Sequence, residues 1–328
     1  MDTPYGYTST VKGARRVKAF YVQEFGSGQI HDNQEDPVPG TGEVIVSVQA
    51  AGVGYMDVMI ADGQYPLVTE PGFVLGSELA GPIVSVGAGV PPEVVGRRVF
   101  AMTTTRSFAQ LCAVDYSSAL PIPDGLGSIE AVALGINALV AQEILERVGA
   151  DGTSEVLVRG ASGGIGLMAT QLAALRGARV TAVTSTEDRG KQLLELGADR
   201  YVSREAARTR GKRYDVIVDT VGGPDMPAFI EQLADNGRFV LCGGVAGAPP
   251  TDFGSTLMAN FHRSPSFLAF SLNSVNLQTL RHSAQAVMGL AVDGSLRPVV
   301  FAKLALDDAA EALGLLRTGV FGKVIIEP

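Results

Sequence analysis

The stretch that most constrains this chain runs from Val156 to Gln192, VLVRGASGGIGLMATQLAALRGARVTAVTSTEDRGKQ. A β-branched apolar run breaks into clustered glycines and resumes with helical spacing. A second apolar run then ends in Thr-Ser-Thr. Strand, glycine turn, helix and second strand at this rhythm form one half of a doubly wound sheet. The turn, Ala161-Ser162-Gly163-Gly164-Ile165-Gly166, fits A-x-G-x-x-G, a dinucleotide fingerprint with Ala in its first place. Gly163 lets the backbone approach a pyrophosphate, and Gly166 lets the helix pack close to the strand. The helix N-terminus offers free N–H groups and a positive dipole end. A glycine pattern alone is equally a phosphate-free βα turn; the strand before it, the helix after it and the second strand supply the context.

A site for NAD commonly carries Asp or Glu at the tip of the second strand, about 20 residues on, to bind the ribose hydroxyls. Thr184 stands there, followed by Ser185, Thr186 and Arg189. A carboxylate repels a 2′-phosphate, whereas hydroxyls and a guanidinium hold one. The residues lean to NADPH over NADH. The alternative is that Arg189 is solvated on the next helix, beside Glu187 and Asp188.

The 328 residues and their 46% hydrophobic share allow two domains with ample core. A net charge of −8 argues against nucleic acid, which wants a basic face. Apolar runs are interrupted by Gly or charge before they reach the length of a bilayer-spanning helix, so no membrane is expected. The N-terminal MDTPYGYTSTVKGARRVKAF lacks the apolar core of a signal peptide. Two cysteines, Cys112 and Cys242, are too few for a disulfide framework. Cytoplasmic residence is the default expectation.

The first third reads as a compact β-domain, with strands over Val17 to Phe25, Glu43 to Ala51, Glu78 to Val86, Arg98 to Phe100 and Ala109 to Val114. The intervening GQIHDNQEDPVPGTGE reads as turn material. From Ser128 the pattern turns helical, and strand and helix then alternate. Strands are expected over Glu155 to Arg159, Arg179 to Thr184, Arg200 to Val202, Val216 to Asp219 and Arg238 to Cys242. Helices are expected over Gly164 to Arg176, Glu187 to Leu196 and Pro227 to Leu233. Ser266 to Ser271 reads as one more strand and Leu277 to Val292 as a helix. The closing FGKVIIEP is a strand whose expected partner is the N-terminal β-domain, making that domain discontinuous.

With the β-domain first and the glycine loop in mid-chain, the sequence resembles the medium-chain dehydrogenase/reductase superfamily, and within it the zinc-independent quinone oxidoreductase and enoyl reductase branch. AAGVGYMDVMIADGQYP, PGFVLGSELAGPIVSVGAGV, RGASGGIGLMATQLAALRGARV, LLELGADRYV, YDVIVDTVGG, NGRFVLCGG and GKVIIEP are similar to family landmarks and stand in the family's order. The resemblance implies an α/β architecture: a GroES-like β-rich catalytic domain over 1–123 and 273–328, and a Rossmann NADP(H)-binding domain, a doubly wound parallel sheet, over 124–272. It implies a cleft between them for nicotinamide and substrate. It also implies a homodimer joined by Rossmann edge strands, here Ser266 to Ser271.

Residue by residue, the resemblance puts Ser185 and Arg189 at the 2′-phosphate, with Arg204 where the family often has Tyr. Asn137, where the family usually has Thr, faces the cofactor. Gly243, Gly244 and Val245 pass near the nicotinamide, and Phe270, Ser271 and Leu272 flank its amide. Lys323 is near the cofactor or is a solvated strand-end lysine. Tyr65 lines the cleft, where it donates to a substrate carbonyl or contacts the nicotinamide ribose, or packs in the β-domain; Tyr55 is read as a donor to substrate or as core packing. Asp57 and Glu78 are expected in structural roles. Gly54 replaces a family Asn that reaches toward nicotinamide and substrate.

Zinc members of the superfamily need Cys, His and Cys or Asp as catalytic ligands. Here Tyr55-Met56-Asp57 covers the first position and Ser77 replaces the His, while His31, His262 and His282 are scattered. No metal is expected. Without one, conjugate reduction is less demanding than alcohol oxidation, since the charge lands on an oxygen that a hydrogen-bond donor can hold. The first expectation is therefore an NADPH-dependent reductase of an activated C=C bond or a quinone, acting on a small hydrophobic substrate. A tailoring reductase of a polyketide or alkaloid intermediate is the second. A non-catalytic NADPH-binding protein is the third.

Overall fold

The computed structural model describes residues 16–209 and 211–328, so most of the N-terminal segment weighed against a signal peptide lies outside the described residues. In chain order the elements begin with β1 (Arg16–Glu24), β2 (Ser27–Glu35), β3 (Glu43–Ser47), β4 (Ala50–Val53), α1 (Tyr55–Ala61) and β5 (Phe73–Val74). Next come β6 (Glu78–Val86), β7 (Arg98–Met102), β8 (Leu111–Asp115), β9 (Leu120–Pro121) and α2 (Ser128–Arg147). The middle holds β10 (Glu155–Arg159), α3 (Gly164–Leu175), β11 (Arg179–Thr184), α4 (Glu187–Glu195), β12 (Arg200–Ser203), β13 (Tyr214–Asp219), α5 (Met226–Ile230) and β14 (Leu233–Leu241). The chain closes with α6 (Phe253–Ala259), β15 (Ser266–Ala269), α7 (Leu277–Val292), β16 (Val300–Ala305), α8 (Ala309–Thr318) and β17 (Lys323–Glu327).

Six strands lie in the order β12-β11-β10-β13-β14-β15, and each neighbouring pair is parallel. Alternate residues serve opposite faces. Val156, Val158, Val180, Val216, Val218 and Val240 join one core, while Leu157, Val183, Ile217 and Phe239 join another. Burial on both faces is why these strands read as continuous apolar runs. The order reverses between β10 and β13, so the crevice beyond the strands' C-terminal ends opens beside the glycine loop that follows β10.

The second body is β-rich. Its larger sheet runs β16-β17-β4-β6-β3-β8, with β7 joining β6 to β9. A smaller sheet runs β2-β1-β5. As expected from the sequence, the closing strand returns to the N-terminal sheet: β17 pairs antiparallel with β4, Val324 against Val53 and Ile326 against Ala51. The long helix α2 links the two bodies, packing on α3 and α7 and also on β4, β6 and β7. By length and composition alone it is apolar enough to cross a bilayer, yet most of it is buried in the core.

Several boundaries differ from the sequence reading. The presumed turn from Gly28 to Glu43 contains most of β2, which takes its ladder from β1 and turns polar side chains outward at a sheet edge. The run Glu43 to Ala51 is two strands. Ser47 crosses so close over Gly81 that any Cβ there would overlap its carbonyl, and the chain bends before β4 begins. The helix expected over Pro227 to Leu233 stops at Ile230, and Leu233 already pairs with Tyr214. Helices α1, α6 and α8 and strand β16 had no counterpart in the sequence reading.

Candidate active site

The glycine loop is shaped by what surrounds it. Gly160 leaves β10 with φ of 77°, and a Cβ there would overlap the Thr220 hydroxyl. At Gly166 a Cβ would overlap the Gly160 carbonyl and come within 2.7 Å of Ala161 Cα, so only glycine lets α3 lie this close to β10. Gly163 is different. Its φ of −80° is ordinary, and a Cβ would meet only the Gly160 carbonyl, at 3.5 Å. The protein itself does not demand glycine at 163, so the bare outer face of the loop fits the close approach of a pyrophosphate. Gly163 is also the N-cap of α3 and supplies no side-chain cap, leaving the first N–H groups of the helix for a ligand.

At the tips of β10 and β11 the Ser162 and Thr184 hydroxyls share a hydrogen bond of 2.7 Å, both buried. Ser185 follows Thr184, exposed. Because Thr184 lies in register with Ser203, Arg204 steps off the same end of the sheet, also exposed. Thr186 caps α4 by accepting from the Arg189 N–H, and the Arg189 guanidinium donates to the Gly319 carbonyl at 2.9 Å. Ser185 and Arg204 thus leave adjacent strands at the same end of the sheet, while Arg189 reaches from α4 to Gly319.

Across the crevice the loop after β13 is held by a buried pair the sequence reading missed. Arg159 donates to Asp219 Oδ2 at 2.9 Å and to the Gly222 carbonyl at 2.8 Å, and its guanidinium lies 4.4 Å from the Phe229 ring centroid. Asp219 Oδ1 accepts from the Val221 and Gly222 N–H groups. Burial pushes the Asp219 carboxyl up, opposed by Arg159 and those two N–H groups. The Thr220 hydroxyl donates to the Arg159 carbonyl, and Gly243 packs so tightly on the Thr220 backbone that a Cβ would overlap it. One signal was present in the sequence: an Arg ending an otherwise apolar buried strand needs a partner.

The two bodies meet at a buried charged cluster. Lys323 of β17 is ion-paired with Glu78 of β6, and the other Glu78 oxygen accepts the Ile136 N–H of α2 at 2.8 Å. That acceptance needs the break at Gly135, whose φ of 35° and ψ of −138° interrupt α2 and where any Cβ would overlap Glu78. Asn137, which follows Ile136, lays its side chain against Gly164, the first residue of α3. Asp57 of α1 completes the cluster. It is fully buried, and burial pushes its carboxyl up to about 6, opposed by the Gly54 N–H, Lys323 and Ser77 and assisted by Glu78.

Comparisons with known proteins agree with this arrangement. A family model described as the alcohol dehydrogenase GroES-like domain matches residues 40–142, and one described as zinc-binding dehydrogenase matches residues 164–282. The quinone oxidoreductase of Rattus norvegicus is 27% identical over 331 residues, spanning 96% of this chain and 98% of its own length. The acryloyl-coenzyme A reductase of Metallosphaera sedula is 27% identical over 340 residues, 94% of this chain and 99% of its own. A mycobacterial protein solved in complex with NADPH superposes with a TM-score of 0.88 at 28% identity, covering 95% of this chain and 100% of that one. The chain belongs to the medium-chain dehydrogenase/reductase superfamily. Within it, the chain falls in the quinone oxidoreductase branch.

The zinc of one matching model's description finds no fitting donors among the described residues. Among the described residues no group of three or more His, Cys, Asp and Glu side chains gathers in a way that could hold a metal ion. Asp57 and Glu78 come together, but the third group beside them is the Lys323 ammonium, and a dication there would face a fixed positive charge. Both cysteine thiols are pushed up by burial, Cys112 to about 12, so neither is poised as a thiolate ligand.

Other sequence-predicted residues fall as follows. Tyr55 and Tyr65 are half-buried against the core of the β-rich body, Tyr55 at the start of α1 directly after Gly54. Gly244 and Val245 are exposed beyond β14, with Gly243 half-buried. Phe270 is turned toward α2, its ring 5.1 Å from the Arg147 guanidinium, and Leu272 packs partly on the same core. Ser271 caps the short turn Leu272–Ser274. Lys323 is 4% exposed and paired, not a solvated strand end. His262 sits exposed after α6, edge-on to Phe261.

Proposed function

We propose that this chain is an NADPH-dependent reductase that delivers hydride to an activated carbon–carbon double bond or to a quinone. The observation that carries the reading is the bare loop at Gly163, which the protein does not require, set where Asn137 ties the charged junction to the start of α3. The names of the relatives support the two acceptor classes, and the NADPH complex of the mycobacterial neighbour supports the cofactor.

Bound NADPH supplies the hydride. The chain holds it with the N–H groups of the glycine loop and the first turn of α3 under the pyrophosphate, lined by Ala161, Ser162, Gly163, Gly164, Ile165 and Gly166. Thr184, Ser185, Arg189 and Arg204 take the 2′-phosphate end, with Asn137, Gly243, Gly244, Val245, Phe270, Ser271, Leu272 and Lys323 assigned to the nicotinamide half. Tyr55 and Tyr65 are assigned as donors to the acceptor's carbonyl oxygen, where negative charge collects. The boundaries 1–123 with 273–328, and 124–272, divide the catalytic from the cofactor domain. The outer edge of β15, with Met258 and Phe261 both 70% exposed nearby in sequence, is the proposed homodimer seam.

The test is a fluorescence titration of the purified protein with NADPH and NADH, followed by quinones and enones in the same cuvette. NADPH preference and acceptor-dependent loss of nicotinamide fluorescence are expected. Equal binding of the two cofactors would remove the 2′-phosphate assignment, and tight binding with no oxidation by any acceptor would remove the reductase.

A further inference from the structure

We infer that Asp57 is the acid that returns a proton to the reduced substrate, reached through the opening that Gly54 leaves in the wall of the cleft. The inference deepens the reductase reading and rests on it.

Four observations converge. First, Asp57 Oδ2 accepts the Gly54 N–H at 2.8 Å, while Oδ1, fully buried, has no partner at ordinary hydrogen-bond distance, the Ser77 hydroxyl standing near the carboxyl without closing such a bond. A buried carboxyl oxygen left over in this way is uncommon and calls for an explanation. Second, nothing in the fold asks for glycine at 54. Its φ of −121° suits any residue, and as N-cap of α1 it forgoes the side-chain cap that Ser, Thr, Asp or Asn would give. A Cβ there would meet only Asp57 Oδ2 at 3.6 Å, and Lys323 Nζ and Met56 N at 4.0 Å, all ordinary contacts. The missing side chain therefore leaves a methyl-sized opening walled by Asp57 and Lys323, beside a residue that is itself half-buried.

Third, the opening lies at the junction. Lys323 leads through Glu78 to the Ile136 N–H, and the neighbouring Asn137 touches the first residue of α3. Fourth, the charges do not balance. Around Asp57 stand Lys323 from β17 and Glu78 and Ser77 from the start of β6, while the Arg317 of α8 is engaged by Asp62 just past the far end of α1. Two carboxyls face one cation and Glu78 holds the ion pair with Lys323, so Asp57 is the surplus carboxyl, and its raised pKa agrees with a proton held up to about pH 6.

The step balances. Hydride forms a C–H bond at the β-carbon of the acceptor, and the π electrons move onto the carbonyl oxygen. The O–H bond breaks at Asp57 Oδ2, the oxygen that faces the Gly54 opening, and its proton passes through one water there to the enolate. Asp57 is left as a carboxylate beside Lys323 and regains its proton from solvent. The acceptor has then gained a hydride and a proton.

The test uses the full chain and two variants. Asp57→Asn keeps an oxygen for the Gly54 N–H, and Gly54→Ala places a methyl in the opening without a clash. In Asp57→Asn, kcat with an enone falls by about 100-fold or more, NADPH affinity by fluorescence is unchanged, and the decline of kcat above pH 6 disappears. In Gly54→Ala, kcat falls at least about tenfold, as expected for a blocked proton path. The protonated-carboxyl infrared band, absent from Asp57→Asn and titrating near pH 6 in wild type without cofactor, remains. An Asp57→Asn protein that keeps kcat within about threefold overturns the proposal, as does one that loses kcat, cofactor affinity and Tm together. A wild type inert toward every acceptor removes the reductase reading and this step with it. An active wild type with an equally active Asp57→Asn removes this step alone.

Discussion

Replacing Asp57 with Asn also has a calculable effect on stability that owes nothing to catalysis. Burial, opposed by the Gly54 N–H and Lys323, moves the carboxyl from 3.8 up to about 6. That is roughly two pKa units at 1.36 kcal/mol each, or about 3 kcal/mol. The native chain therefore binds more protons than the unfolded chain between these values. Stability is lost as pH rises from about 4 to about 6, and the loss persists above. An amide cannot ionise, so the stability of Asp57→Asn minus that of wild type should grow by about 3 kcal/mol across this window and then stay level. Asp219, also pushed up by burial, is common to both proteins and cancels in the difference. For 328 residues the unfolding entropy is on the order of 0.7 kcal/mol/K, so the melting temperatures should separate by about 4 °C. Scanning calorimetry of both proteins at intervals from pH 4 to 8 reads this directly. A constant difference, or one that shrinks as pH rises, would show that Asp57 is not the buried surplus acid described above.

Two further substitutions separate packing from ligand contact in the glycine loop. Gly166→Ala, pressed against Gly160 and Ala161 backbone, should lower both Tm and NADPH affinity, whereas Gly163→Ala should leave Tm unchanged and weaken NADPH at least about tenfold by fluorescence titration. Arg159→Met strands the Asp219 carboxylate and should cost about 3–5 kcal/mol in denaturant unfolding, with a smaller loss in the Arg159→Met, Asp219→Leu double variant. Ser185→Ala with Arg189→Ala should weaken NADPH by about tenfold or more with little effect on NADH, because charge-assisted contacts to a 2′-phosphate are lost; equal weakening of both cofactors would contradict the assignment.

The parallel sheet was legible because its signals are local. Val156 to Arg159 and Val180 to Thr184 are strands buried on both faces, and Gly166 between them follows from close packing of one helix. The β-rich body was harder. Strand β2 carries a single Ile among polar residues and owes its ladder to β1, and the break after Ser47 is set by Gly81 from another strand. The candidate site divides in the same way. The loop from Ala161 to Gly166 could be read from its spacing. The Arg159–Asp219 pair and the Asp57, Glu78 and Lys323 cluster could not, since their members lie far apart in sequence and meet only through sheet pairing. Lys323 shows the limit most plainly: a lysine opening the last strand could be read as solvated, while burial and the ion pair with Glu78 hold it inside the junction.

The return of β17 to β4 has a consequence for how this protein is made. Glu78 and Lys323 are separated by 245 positions, and the whole parallel sheet is encoded between them. On the ribosome the N-terminal strands emerge first but cannot finish their sheet, and Glu78 waits without its cation. The parallel sheet, contiguous in the chain, can reach its native pairing earlier. The body encoded first is thus completed last, and the junction that would house the chemistry assembles only when the chain has closed on itself.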